Sequence, residues 1–295
     1  MKKQMIFKGV GTALITPFKN GRIDFTALER IIEKQIEARV SALIIGGTTG
    51  EAATLSDIER YNLFEFTREK TGGRTKLIFG TGTNDTKAAV RHTRRAEEIG
   101  CDGGLVVTPY YNKGTFRGVE RHYTEIAGAT ELPVILYNVP SRTGVNLTLS
   151  QLEALSKINN VAAIKEAGDS MDRYVSLAAL GESLGLYAGN DSQIYTTLAL
   201  GGLGVISVLS NVCPALAVEI CESFFRGDYN KSRELQIKAL PLIFALFCET
   251  NPAPVKYAMH RLGLCENELR LPLMNVSEES QEKIDAALEA IKDSL

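Results

Sequence analysis

Val161-Ala162-Ala163-Ile164-Lys165-Glu166 sets four small or branched apolar residues in a row and ends them on a lysine. Such a run reads as a strand buried on both faces in a parallel sheet, because a strand with one wet face alternates polar and apolar residues. An amine at the mouth of that strand loses the hydration that favours its charged form, and the neutral amine is the form that attacks a carbonyl. Lys165 is therefore either a solvated strand-end lysine or a nucleophile, and the rest of the chain bears on the choice.

Runs of the same kind recur on both sides. In order they are Val10 to Ile15, Ala42 to Ile45, Lys76 to Phe79, Gly104 to Val107, Pro133 to Tyr137, Val161 to Lys165, Leu186 to Ala188 and Gly204 to Val208. Helical patterns separate them: Leu28, Ile31, Ile32 and Ile36 mark one apolar face, Ser56-Asp57-Ile58-Glu59 is a capping box, and Asn84-Asp85-Thr86 opens a helix that Gly100 stops. Strands alternating with helices in this number predict an α/β fold, a (β/α)8 TIM barrel. An open doubly wound sheet wants a Gly-x-Gly-x-x-Gly turn after its first strand, which Gly9-Val10-Gly11-Thr12-Ala13-Leu14 does not supply. After Arg226-Gly227-Asp228 strands cease. Helices are predicted over Asn230 to Glu249 with a kink at Pro241, over Pro254 to Leu262, and after a Ser277 cap with Ile284, Leu288 and Ile291 on the buried face. The expected division is a catalytic barrel over 1–225 and a C-terminal helical appendage over 226–295.

Composition narrows the function. In 295 residues, 33 Lys and Arg face 35 Asp and Glu, a formal net charge of -2 with no basic stripe, which argues against nucleic acid as a partner. The run Met1-Lys2-Lys3-Gln4-Met5 is followed by no apolar segment of signal-peptide length, and no stretch is long enough to span a bilayer, so the expectation is a soluble, cytoplasmic enzyme acting on a small molecule. Cys101, Cys213, Cys221, Cys248 and Cys265 are scattered and lack a Cys-x-x-Cys pair, and read as reduced thiols in a packed interior. His92, His122 and His260 fall in helical patterns without metal-ligand spacing, so no metal and no cofactor are expected.

A barrel builds its site from the loops after the carboxyl ends of its strands. Here those ends are Gly46-Gly47-Thr48-Thr49-Gly50-Glu51, Gly80-Thr81-Gly82-Thr83-Asn84, Thr108-Pro109-Tyr110-Tyr111-Asn112, Tyr137-Asn138-Val139-Pro140-Ser141-Arg142-Thr143-Gly144, Lys165 and Gly189-Asn190-Asp191. Singly each has an ordinary reading as a capping turn, a loop anchor or a surface residue. Together they gather an amine, phenols, hydroxyls and a guanidinium. A lysine that forms a Schiff base with a 2-oxo acid needs a neighbouring acid and base, and Tyr137 can serve as both. Thr48 and Thr49 can bond a carboxylate and pass protons, and Arg142 offers a planar fork for a second one. The loop Leu209-Ser210-Asn211-Val212-Cys213-Pro214 is no glycine-rich phosphate cradle, which disfavours a phosphorylated substrate.

These motifs, with Asn251-Pro252-Ala253-Pro254-Val255-Lys256 and Leu269-Arg270-Leu271-Pro272-Leu273 in the tail, resemble the dihydrodipicolinate synthase family of pyruvate-dependent class I aldolases over nearly the whole chain. The resemblance implies that Lys165 forms the Schiff base with pyruvate and that Tyr137 acts as general acid and base. It joins Tyr137 to Thr49 and to a Tyr111 contributed across a dimer interface. It further implies that Thr48 and Thr49 hold the pyruvate carboxylate, that Gly189 and Ile206 line the pocket, and that Arg142 receives L-aspartate 4-semialdehyde in a homotetramer built as a dimer of dimers. Sister aldolases of the N-acetylneuraminate lyase or 2-keto-3-deoxy sugar acid type share the lysine chemistry, but the lyases usually differ at Arg142 and at Thr48. A non-catalytic barrel would be expected to lack the lysine and tyrosine. In members inhibited by lysine, an effector site lies at the dimer interface. The matching positions here hold Asn84, Tyr110, Ala52, Asp57, Arg60 and Ala88, and the missing carboxylate at 88 implies weak or absent feedback by lysine.

Overall fold

The computed structural model of the chain describes residue 3 and residues 5–292. Met1, Lys2 and Gln4 of the amino-terminal run, and residues 293–295 of the helical tail, lie outside the described residues. Eight parallel strands form a closed barrel: β1 (Gly9–Ala13), β2 (Ala42–Ile45), β3 (Lys76–Gly80), β4 (Gly103–Val107), β5 (Val134–Asn138), β6 (Val161–Glu166), β7 (Gly185–Ala188) and β8 (Gly204–Ser207). The TIM barrel read from the spacing of apolar runs is thus the fold. Helices alternate with the strands, among them α1 (Phe25–Glu37), α2 (Asp57–Thr71), α3 (Thr86–Ile99), α4 (Phe116–Ala127), α5 (Pro140–Thr143), α6 (Leu149–Ser156), α7 (Met171–Ala178), α8 (Ile194–Ala199) and α9 (Pro214–Phe225). The tail adds α10 (Tyr229–Ala245), α11 (Ala253–Arg261) and α12 (Glu278–Ala290). Among the described residues no helix is long and apolar enough to cross a membrane.

Main-chain packing groups the chain into two units, one of Met1–Lys8 with Lys76–Ile206 and one of Gly9–Thr75 with Ser207–Leu295. In the first, Val106, Val134, Leu136, Val161 and Ile164 meet Tyr123, Ile126, Leu152, Leu155 and Leu177 from the covering helices, and all are buried. Each such side chain contributes about 1.5–3 kcal/mol by leaving water. That is why β5 and β6 need no polar face, and why Asn138, Lys165 and Glu166, buried at their ends, stand out.

In the second unit the expected caps are in place. Ser56 and Glu59 close the capping box of α2, with the Ser56 N–H donating to Glu59 Oε2 at 2.9 Å. Asp85, central in the expected Asn84-Asp85-Thr86 signal, caps α3 in the first unit by accepting from the Lys87 N–H at 3.0 Å, and Gly100 ends that helix at φ 89°. Three expectations need correction. The apolar face of α1 holds Leu28, Ile31 and Ile32, but Ile36 is only half-buried while Gln35 is fully buried. Gln35 can be buried because both ends of its amide are satisfied, Oε1 accepting from Thr12 Oγ1 at 2.6 Å and Nε2 donating to the Ser210 carbonyl at 2.8 Å. Cys248 is exposed, unlike the other four cysteines. The helix carrying Pro241 stops at Ala245, short of Glu249, in turns closed by Phe247 on Phe244 and Cys248 on Ala245.

Candidate active site

In the first unit the site begins with strand register. β5 and β6 pair Leu136 with Ile164, Tyr137 with Lys165, and Asn138 with Glu166. Successive side chains of a strand leave on opposite faces, so Tyr137 and Lys165 share one face while Asn138 and Glu166 share the other. Lys165 Nζ lies 4.4 Å from the centre of the Tyr137 ring. Lys165 is 5% exposed and Tyr137 8%, so an amine and a phenol adjoin one another out of bulk water. That pair can attack a carbonyl and move the proton that follows.

The neighbouring positions are constrained around it. At Gly189, directly after β7, a Cβ would come within 2.5 Å of the Glu166 carbonyl oxygen and 2.6 Å of Ala167 Cβ, so only glycine lets the backbone pass. Ile206 on β8 is fully buried. Arg142 is exposed on the single turn of α5, which starts two residues after β5, and its N–H donates to the Val139 carbonyl at 3.0 Å. Arg142 is thus placed five residues beyond Tyr137 on an exposed turn. Tyr111 is 88% exposed at φ 70°, an unusual left-handed backbone for a large side chain. The imidazole of His122 sits 2.9 Å from Thr86 Oγ1. Burial pushes its pKa down to about 4, so it stays neutral near pH 7.

In the second unit, the turn after β2 carries the two threonines. Gly46 at φ 65° starts it, and the N–H groups of Gly50 and Ala52 both donate to the Gly47 carbonyl, at 3.1 and 3.3 Å. Thr49 is buried and its Oγ1 accepts from Asn251 Nδ2 at 3.0 Å, which leaves the threonine's own proton to be given elsewhere. Thr48 beside it is half-buried. The turn ends on Glu51, whose φ of 54° is again left-handed.

What holds Glu51 there is charge. Its carboxylate forms an ion pair with Lys256, both side chains fully buried, and accepts from the Arg270 N–H at 3.1 Å. Lys256 also donates to the Glu268 carbonyl at 2.8 Å and lies 4.1 Å from the Phe18 ring centre. Burial lowers the pKa of the Lys256 ammonium, and the Glu51 carboxylate opposes that shift. Arg270 bonds the Thr54 carbonyl at 2.9 Å and clamps Glu59, whose carboxyl it holds down at about 2. In the sequence Asn251, Lys256 and Arg270 stand only in tail motifs, without roles. A signal for Lys256 was available, since a lysine among Val255, Tyr257, Ala258 and Met259 on a short helix needs a buried partner.

The expected effector positions fall in both units. In the first, Asn84 is half-buried and donates from Nδ2 to the Tyr110 carbonyl at 3.3 Å, Tyr110 is 36% exposed, and Ala88 is half-buried on α3. In the second, Ala52 is half-buried in the turn after Glu51, Asp57 is exposed at the start of α2, and Arg60 is buried one turn on.

Comparisons with known proteins give the family and the fold. The family model described as "Dihydrodipicolinate synthetase family" matches residues 6–291. The chain is 49% identical over 280 residues to the 4-hydroxy-tetrahydrodipicolinate synthase of Alkaliphilus oremlandii, covering 95% of this chain and 97% of that one. It superposes on the crystal structure of dihydrodipicolinate synthase from Thermotoga maritima with a TM-score of 0.95 and 44% identity, over 97% of this chain and 98% of the other. A second similar structure is the enzyme of Acinetobacter baumannii complexed with pyruvate, at 38% identity and TM-score 0.94, covering 97% and 99% of the two chains.

Proposed function

The chain belongs to the dihydrodipicolinate synthetase family, and from that premise we propose how its residues divide the work. Its activity is that of a 4-hydroxy-tetrahydrodipicolinate synthase. The Lys165 amine adds to the carbonyl of pyruvate, water leaves, and an iminium forms. Loss of a proton from the methyl carbon gives the enamine, which attacks the aldehyde carbon of L-aspartate 4-semialdehyde. The amino group of that second substrate then displaces Lys165 and closes the ring.

Tyr137 takes and returns the protons of these steps. Thr48 and Thr49 hold the pyruvate carboxylate, with Asn251 orienting the Thr49 hydroxyl as a donor. Gly189 and Ile206 line the pocket, and Arg142, already open to solvent, receives the carboxylate of the incoming semialdehyde. Tyr111 completes the proton relay from a second copy of the chain in a homotetramer. Its exposure and left-handed backbone favour this reading, since the ring is open to a partner and the strained backbone is of a kind that clusters at functional sites. Feedback by lysine is weak or absent.

The observation that carries the reading is the registered, buried pairing of Lys165 with Tyr137. Its test is pyruvate consumption with aspartate semialdehyde, coupled to a reductase that reads the cyclic product, together with borohydride trapping of pyruvate on Lys165. Arg142→Ala should lower kcat/KM for the semialdehyde by about 10²-fold while trapping continues at the normal rate, since it removes a charged hydrogen-bonding partner of that substrate alone. Normal kinetics in this variant would overturn the role of Arg142.

A further inference from the structure

Behind the Lys165 and Tyr137 pair, on the opposite face of the same two strand ends, sits a buried carboxylate that the chemistry above does not use. Glu166 is fully buried, and all of its acceptor capacity is directed at groups from three different segments. Oε1 accepts from Asn138 Nδ2 at 2.9 Å and from the Gly168 N–H at 2.8 Å. Oε2 accepts from Asn138 Nδ2 at 3.1 Å and from Arg173 Nε at 2.7 Å. Asn138 is committed in turn, donating to Asn146 Oδ1 at 3.0 Å and accepting the Leu147 N–H at 3.1 Å. The main chain is fixed as well: the Glu166 carbonyl accepts from Tyr174 Oη at 2.6 Å and from the Gly189 N–H, and the Asn138 carbonyl accepts from Ala167 at 2.9 Å.

Burying a carboxylate is costly even when it is paired, and barrel strands ordinarily fill buried positions with Val, Ile or Leu. The ladder sets the register, and what an apolar pair could not add to it is a directed hold on the two strand ends. Dispersion contacts tolerate small shifts, whereas a carboxylate gripped by an amide, a backbone N–H and a guanidinium has one position. Lys165 and Tyr137 are the residues immediately before Glu166 and Asn138 on the same strands, so the clamp holds their relative height. An amine and a proton carrier acting on one carbonyl must be in register to a fraction of an ångström.

We propose that Glu166, gripped by Asn138 and Arg173, is a positioning residue that sets the Lys165 amine against the Tyr137 hydroxyl. The proposal rests on the reading of Lys165 as the imine-forming amine. It concerns the rate of imine formation, not substrate affinity.

The experiment is single-turnover borohydride trapping of pyruvate, with the label mapped by mass spectrometry, on wild type, Glu166→Gln, Asn138→Asp, the double variant and Arg173→Lys. Glu166→Gln turns one acceptor into a donor facing donors, and should slow trapping by about tenfold or more per folded molecule, with the pyruvate KM within about threefold of wild type. Asn138→Asp sets two carboxylates together and should be slower still. Combining the two puts a donor opposite an acceptor again, so the double variant should trap faster than Asn138→Asp alone. Should Glu166→Gln fold poorly, Arg173→Lys keeps the charge, loses the directed Nε contact, and should slow trapping several-fold in a folded protein. Wild-type trapping rates in the folded variants, or a double variant no faster than Asn138→Asp, would overturn the positioning role. Failure of the underlying reading looks different: in wild type itself, the label would be absent from Lys165.

Discussion

The strand ends that carry the amine and the turn that carries the threonines are held in opposite ways. Asn138 and Glu166, which lie 28 residues apart, tie neighbouring strands whose ladder already aligns them. Thr49 and Asn251 are separated by 202 residues, and Glu51 and Arg270 by 219. The first region rests on backbone pairing that any buried parallel strand provides, with polar groups refining it. In the second, no ladder reaches the turn beyond β2, and its left-handed Glu51 is kept in place by fully buried charge. The amine and phenol are thus mounted on a rigid element, and the threonines on a loop made rigid by residues distant in the chain.

The largest effect that tests this contrast is Lys165→Ala. It should abolish borohydride trapping and lower kcat by about 10³-fold or more, while the urea midpoint moves little because the ladder remains. A strongly destabilised variant would mean that the strand end is not held by its backbone. Lys256→Met should behave in the reverse way. It strands the Glu51 carboxylate, and should cost about 3–5 kcal/mol of stability by urea unfolding. Adding Glu51→Gln should recover part of that loss, and a double variant as unstable as the single one would show that charge is not what holds the turn.

The smallest effect is in acid. Arg270 holds the Glu59 carboxyl at about 2, below its ordinary 4.5, so the folded state gains stability from this pair above pH 4.5 and loses it as pH falls toward 2. The pair is partly exposed, so the contribution is about 1 kcal/mol after solvent screening. Arg270→Ala should flatten the urea midpoint against pH across that window, and an unchanged slope would remove Glu59 from the account.

The same contrast explains what could be read from the sequence. Eight apolar runs, the Ser56 capping box and the Gly100 stop follow from near-neighbour physics, and strand-end position singles out Lys165, Tyr137 and Arg142. Gln35 was passed over because its partners, Thr12 and Ser210, adjoin it only after folding. Asn251, Lys256 and Arg270 were visible as motifs, but no local pattern says which turn a distant cation will reach. Glu166 carries no local signal of a role, since a carboxylate at a strand mouth reads equally well as solvated.

Dependence of the Glu51 turn on the tail also has a consequence for biosynthesis. When a growing chain has released Ser207, all eight strands exist, yet Asn251, Lys256 and Arg270 have not been made. At about 5–20 residues per second, the interval to Arg270 lasts on the order of several seconds. Throughout it the ladder of β5 and β6 has all its partners, while the Glu51 carboxylate has neither cation to close on. The hydroxyl-bearing turn is therefore finished only after residues made 202 or more positions later in the chain than Thr49.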